Sequence, residues 1–199
     1  MKKIWSKVEA ELSTKARPVL ESMNPPAEEA DIEALEEHVG QELPPDYRDF
    51  LLMHNGQSQD SNPGFFDMFS LMPVDLVQES WDELEELRED VGEESACPGD
   101  WLPVAEDGTG DLLCVELESG AVSKFVADDD QNEDVADSFE GWLADLLAAL
   151  KNGEFAFDPS SGFGIEPKSN DEPDDDDEAA GADEEDAVLD SDGDDDDES

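Results

Sequence analysis

Two double prolines, Pro25-Pro26 and Pro44-Pro45, punctuate the segment MNPPAEEADIEALEEHVGQELPPDYRDFLLMHNGQ that begins at Met23, and they restrict what it can fold into. Proline has no amide proton to give to a helix interior or a central strand, so each pair sits outside a regular element or in its first turn. Between the pairs, Ile32, Leu35 and Val39 keep helical spacing. Asp31 or an earlier polar residue opens that helix, and Gly40 caps its end. Past the second pair, Tyr47, Phe50, Leu51 and His54 share one helical face, with Asp46 near the positive end of the helix dipole. Asn55-Gly56 is expected to stop this helix by a left-handed turn, which puts His54 in its last turn. His54 is read as structural, because no neighbouring motif supplies the nucleophile or orienting partner that a general base requires.

The remaining periodicities set the fold class. Trp5, Val8 and Leu12 form an N-terminal helical stripe that ends or bends before Pro18. Residues 57–72 read as a loop running into a short strand around Met68, Ser70 and Leu71. Val77, Trp81, Leu84 and Val91 then mark an amphipathic helix with a very acidic outer face. After the GEESACPGD connection the period changes: WLPVA, DLLCVELE and AVSKFVA are short, apolar or alternating, and separated by the turns at Asp107-Gly108-Thr109-Gly110 and Glu118-Ser119-Gly120. A last helix carries Phe139, Leu143, Leu146, Leu147 and Leu150 on one side and stops before Gly153. The expected fold is α+β: a single two-layer domain with N-terminal helices, a small mainly antiparallel sheet and a closing C-terminal helix.

Charge divides the chain in two. The 199 residues carry 59 acids against 10 Lys and Arg, a net charge of -49; residues 166–199 contribute -18 of it and residues 1–165 the other -31. Runs such as Asp174-Asp175-Asp176-Asp177-Glu178 repel themselves and bury nothing that would offset chain entropy. The expected organisation is one domain over residues 1–165 and a disordered acidic tail over 166–199. Nucleic acid is excluded as a partner, because phosphate binding requires clustered Lys and Arg. No apolar run reaches spanning length and no signal peptide is visible, so no membrane association and a cytoplasmic address are expected.

Several motifs that suggest chemistry fail on their details. The AEDGTGDL loop lacks the lysine of a phosphate-binding loop and lies between strands. In DSDGDDDDES, aligning Gly193 with the sixth position of a calcium loop leaves Val188 and Ser199 at the two defining ligand positions. Cys97 and Cys114 form no CxxC and read as buried reduced thiols. Nothing around Cys97 lowers its pKa, and acidic neighbours raise it. No cofactor, no metal site and no catalytic residue are expected.

Taken together, Trp5, Pro25, Pro26, Ile32, Leu35, Glu36, Leu43, Pro44, Tyr47, Phe50, Leu51, Asn55 and Gly56 resemble the signature of the SUKH superfamily, the Smi/Knr type of domain. The strand-turn-strand WLPVAEDGTGDLLCVEL, with Trp101, Pro103, Val104, Ala105, Gly110 and Asp111, and the helix SFEGWLADLL are similar to later parts of the same pattern. The resemblance covers about residues 3–151. It implies a non-catalytic protein-binding domain. Bacterial domains of this kind are immunity proteins that neutralise a secreted toxin, often a nuclease. Fungal ones are regulators linked to cell-wall synthesis, and in a regulator or scaffold the acidic tail would engage basic partners. A negative surface attracts a basic protein at long range in either case. The expected contact residues are Glu106, Asp107, Asp111, Asp128, Asp129, Asp130, Glu133 and Asp134. The same composition also suits a chain adapted to fold in high salt.

Overall fold

Trp5, Val8 and Leu12 turn one face of α1 (Lys2–Lys15) into the core, as their spacing requires. The computed structural model describes residues 1–58, 63–91, 97–127, 132–158 and 164–168. Pro18 does not simply end the first helix. The chain kinks at Ala16 and Pro18 starts a second short helix, α2 (Arg17–Glu21), where a missing amide proton costs nothing. Helix α3 (Glu29–Val39) buries Ile32 and Leu35 and ends at Gly40 in the left-handed conformation. Helix α4 (Pro45–Leu51) buries Tyr47, Phe50 and Leu51.

Two expectations for this region are corrected. Helix α4 stops at Leu51, so His54 lies beyond it and not in its last turn. Gly56 is left-handed, with φ of 60°, but it ends no helix: an added Cβ would meet the Met72 carbonyl oxygen at 2.3 Å. The physical reason is a set of backbone bonds that compete with the helix. Asn55 N donates to Pro25 O (3.0 Å), Asn24 N to Gly56 O (3.0 Å), and Asn24 Nδ2 to the carbonyls of Asn55 (2.8 Å) and Gln57 (2.9 Å). The HNGQ stretch is thus stitched to the first double proline.

The expected short strand follows as β1 (Ser70–Leu71), but without Met68, because Asp67 and Met68 form a left-handed turn with φ of 51° and 68°. Helix α5 (Val74–Val91) buries Val77, Trp81 and Leu84, and its first amide is capped by Asn55 Oδ1 (2.8 Å). The period-two segments form β2 (Trp101–Glu106), β3 (Leu112–Glu116) and β4 (Val122–Phe125). Strand β5 (Glu133–Ala136) was not foreseen, since four residues of sequence EDVA, none of them buried, carry no apolar alternation. The sheet order is β1-β2-β3-β4-β5, antiparallel throughout.

Alternation in the sheet serves two cores. Leu113, Val115 and Val122 join the large cluster with α1, α3, α4 and the closing helix α6 (Phe139–Asn152). Trp101, Cys114 and Phe125 join a small cluster with Leu84 and Cys97. Ser138 Oγ accepts from Gly141 N (3.0 Å) to start α6, and a left-handed Gly153 ends it. Each fully buried Leu or Phe contributes about 1.5–3 kcal/mol. The α+β class therefore stands, with helices packed on a mainly antiparallel sheet.

A hairpin of β6 (Phe155–Asp158) and β7 (Gly164–Pro167) comes after α6, beyond the expected last element. The compact unit runs from Met1 to Lys168. Glu166 and Pro167, assigned by composition to the tail, pair with Ala156 and Phe155, because Ile165 is buried in the core and holds its neighbours in place. The rest of the expected tail, residues 169–199, lies outside the described residues, as does the calcium-like stretch within it.

Candidate functional site

The turn between β2 and β3 is built by its own acids. Asp107 Oδ1 accepts from Thr109 N (2.8 Å) and Asp111 N (3.2 Å), while Gly108 and Gly110 supply the positive φ angles. Asp111 then ties the turn to the next loop, with Oδ1 accepting from Ala127 N (3.1 Å) and Oδ2 pairing with Lys124 Nζ (2.9 Å). Lys124 sits 5.6 Å above the Phe69 ring and opposite Glu133 in the β4–β5 ladder. The hydrogen bond to Asp111 is the chief reason its pKa is raised.

Five of the expected contact residues are described, three at the end of β2 and in the β2–β3 turn and two on β5, with β4 between β3 and β5. Glu106 ends β2 opposite Ser70 and Leu112. Asp107 and Asp111 are engaged in the turn, and Glu133 and Asp134 are exposed on β5. Asp128, Asp129 and Asp130 lie outside the described residues. Sequence reading missed Lys124 as the cation among these acids, and it also missed Glu116 and Asp137. The three are separated in sequence, and only the strand register brings Glu116 and Asp137 to the same side of β5.

A second acidic surface lies on the helices. Asp75, Glu79, Glu83, Glu86 and Glu89 are exposed along α5, and Glu29, Glu33 and Glu37 along α3. A groove of about 320 Å³ opens between these helices beside Asp31, Asn55, Val74 and Asp75. His38 Nε2 lies 2.7 Å from Asp82 Oδ1, bridging α3 to α5, and Arg48 holds Glu29 (2.9 Å) and Glu36 (3.4 Å).

Each histidine is engaged by an oxygen of another residue. His54 Nδ1 is 3.0 Å from Asn24 O and its ring lies 4.8 Å from that of Trp5, while His38 is on α3. Both cysteines are buried and reduced. One expectation is corrected here: a cation does lie beside Cys97, since Arg88 Nη2 is 3.4 Å from its Sγ. Burial outweighs it and keeps the Cys97 thiol above its usual pKa, with Asp100 and Glu85 as minor contributors. Burial raises Cys114 still further. Among the described residues no group of three His, Cys, Asp or Glu side chains is placed to hold a metal ion, and no helix is long and apolar enough to cross a membrane.

The described surface offers two acidic faces, and the grooves beside β5 and between α3 and α5 are lined in part by carboxylates. None of the curated proteins matches this chain. Residues 26–145, which run from the second proline of the first pair through the sheet and into α6, match the SMI1 / KNR4 family (SUKH-1). With most of the domain covered, the chain belongs to the SMI1 / KNR4 family (SUKH-1).

Proposed function

We propose that this domain is a non-catalytic protein-binding module, and that it acts as an immunity protein neutralising a cognate toxin by direct contact. Family membership supports a protein partner. The observation that carries the rest is the charge of the body: residues 1–165 hold a net -31, and the described residues include two exposed faces rich in Asp and Glu. Such a field accelerates encounter with a basic surface and rejects acidic competitors. A nuclease toxin needs a basic cleft to hold phosphates, so a carboxylate-rich inhibitor is complementary to it. Nucleic acid itself is repelled. The reading requires no cofactor and no membrane, and it places the protein in the cytoplasm.

A second reading is favoured by the composition of residues 169–199, which are rich in Asp and Glu. In a regulator or scaffold of the cell-wall type, this segment would recruit basic proteins alongside the folded domain. Capture from a native lysate separates the two. With full chain and with a chain ending at Lys168 as baits, an immunity protein retains one stoichiometric basic partner on both, and that partner arrests growth when expressed alone. Many partners, all lost with residues 169–199, would reject the immunity reading in favour of the scaffold.

A further inference from the structure

The two edges of the five-stranded sheet are finished differently. At β1, Leu71 N donates to Gln57 Oε1 (2.8 Å) and Leu71 O accepts from Gln57 N (2.8 Å). Gln57 is fully buried and donates onward to Ser22 Oγ and Pro63 O, both at 2.9 Å. One glutamine thus takes the place of a neighbouring strand and closes that edge. At β5 the ladder has β4 on one side, and no described residue pairs with the outer backbone of Glu133–Ala136. Glu133, Asp134 and Val135 are all exposed, so solvent reaches the edge and both faces of the strand.

An open strand is a template for another, which includes copies of the same chain. Two features oppose self-pairing. The strand carries acids, and Val135 is an extra residue in the ladder, because Ser123 pairs with Asp134 and Val122 with Ala136. The same acids make the edge complementary to a basic strand. Beside β5 lies a groove of about 370 Å³ lined by Glu116, Ser119, Ser123, Asp134, Val135 and Asp137. Ser123 Oγ and Ser119 Oγ, both at 2.7 Å, fix the two oxygens of Glu116. Whereas Asp111 has Lys124, Glu116, Asp134 and Asp137 have no ion-pair partner among the described residues.

We propose that β5 and this groove dock an extended segment of a partner protein with Lys or Arg at alternate positions. The segment lies along Glu133 and Asp134. One basic side chain enters the groove, its aliphatic stem against Val135 and its charge among Glu116, Asp134 and Asp137. Alternation is required because side chains two apart in a strand share a face. This rests on the reading of the domain as a binder of basic proteins and adds the place and mode of contact.

The test uses the full chain and two probes: a short peptide of alternating lysine and valine, and the same peptide with every backbone amide N-methylated, which keeps its charge. Residue-resolved amide exchange is read on the complexes. The first peptide is expected to slow exchange at Glu133–Ala136 and to bind about tenfold more tightly than the N-methylated peptide, which has no amide proton to give to the ladder. Asp134→Asn combined with Asp137→Asn, two exposed positions, is expected to abolish that difference while leaving the circular dichroism spectrum unchanged. Equal binding of both peptides overturns the proposal, as does protection on α3 and α5 in place of β5, or dimerisation of the chain along β5. Protection on the helices by the captured partner rejects the strand edge and leaves partner binding standing. If neither the peptides nor any basic protein binds residues 1–168, both readings fall.

Discussion

A methyl group added at Gly56 would overlap the backbone of Met72, whereas one added at Gly40 meets open space, although both residues have positive φ. Gly56→Ala is therefore expected to lose about 3 kcal/mol or more, and Gly40→Ala about 1 kcal/mol, in urea denaturation. Tyr47 presents the opposite case. Its ring packs 5.1 Å from Phe139, but its hydroxyl is buried without a hydrogen-bond partner among the described residues. Tyr47→Phe should leave stability unchanged or raise it by about 1 kcal/mol, by removing an unsatisfied group. Asp67 sets a pH dependence. Partial burial is the main cause that raises its pKa, Lys124 opposes it, and Glu133 adds to it. An acid whose folded pKa is raised contributes stability below its unfolded pKa, near 4, and loses it as pH rises through the folded value. Asp67→Asn, which also suits the left-handed backbone, should therefore raise the melting temperature at neutral pH, with the difference vanishing near pH 3.

At the scale of elements, Arg88 holds α5 to the approach to β2. Its guanidinium donates to the carbonyls of Cys97 (3.2 Å), Pro98 (2.7 Å) and Trp101 (3.2 Å) and lies 5.1 Å from the Trp81 ring centre. Lysine cannot reproduce this fork. Arg88→Ala should cost about 2–4 kcal/mol in urea denaturation, and Arg88→Lys should recover only part of it. Elements with strong periodicity were legible in the sequence: α3 from Ile32 and Leu35, α6 from its leucines, and β2 to β4 from their turns. What escaped was set by tertiary contacts. Helix α4 ends early because Asn55 bonds to Pro25, β5 exists because β4 offers a ladder, and β7 is held by Ile165. The acidic patch expected to make contact was legible as composition, but not the division of labour within it. Only the geometry shows Asp107 and Asp111 engaged by their turn and Glu116 held by two serines, while Asp134 and Asp137 are exposed.

At the scale of the whole molecule, self-repulsion is the dominant long-range force. With 59 acids and 10 bases, the folded chain concentrates charge that the unfolded chain disperses. Raising sodium chloride from about 0.01 M to about 0.5 M shortens the Debye length from about 30 Å to a few ångströms, so the melting temperature should rise over that range. Partner binding should move the other way, since the same screening weakens a basic–acidic encounter. Whether the folded domain carries recognition is read from the affinity of the captured basic partner, by titration calorimetry at moderate salt, for the full chain and for the chain ending at Lys168. If the folded domain carries recognition, the two affinities agree within about threefold. A loss of about a hundredfold or more on removing residues 169–199 would contradict it, and would move recognition from the SUKH domain to the acidic segment.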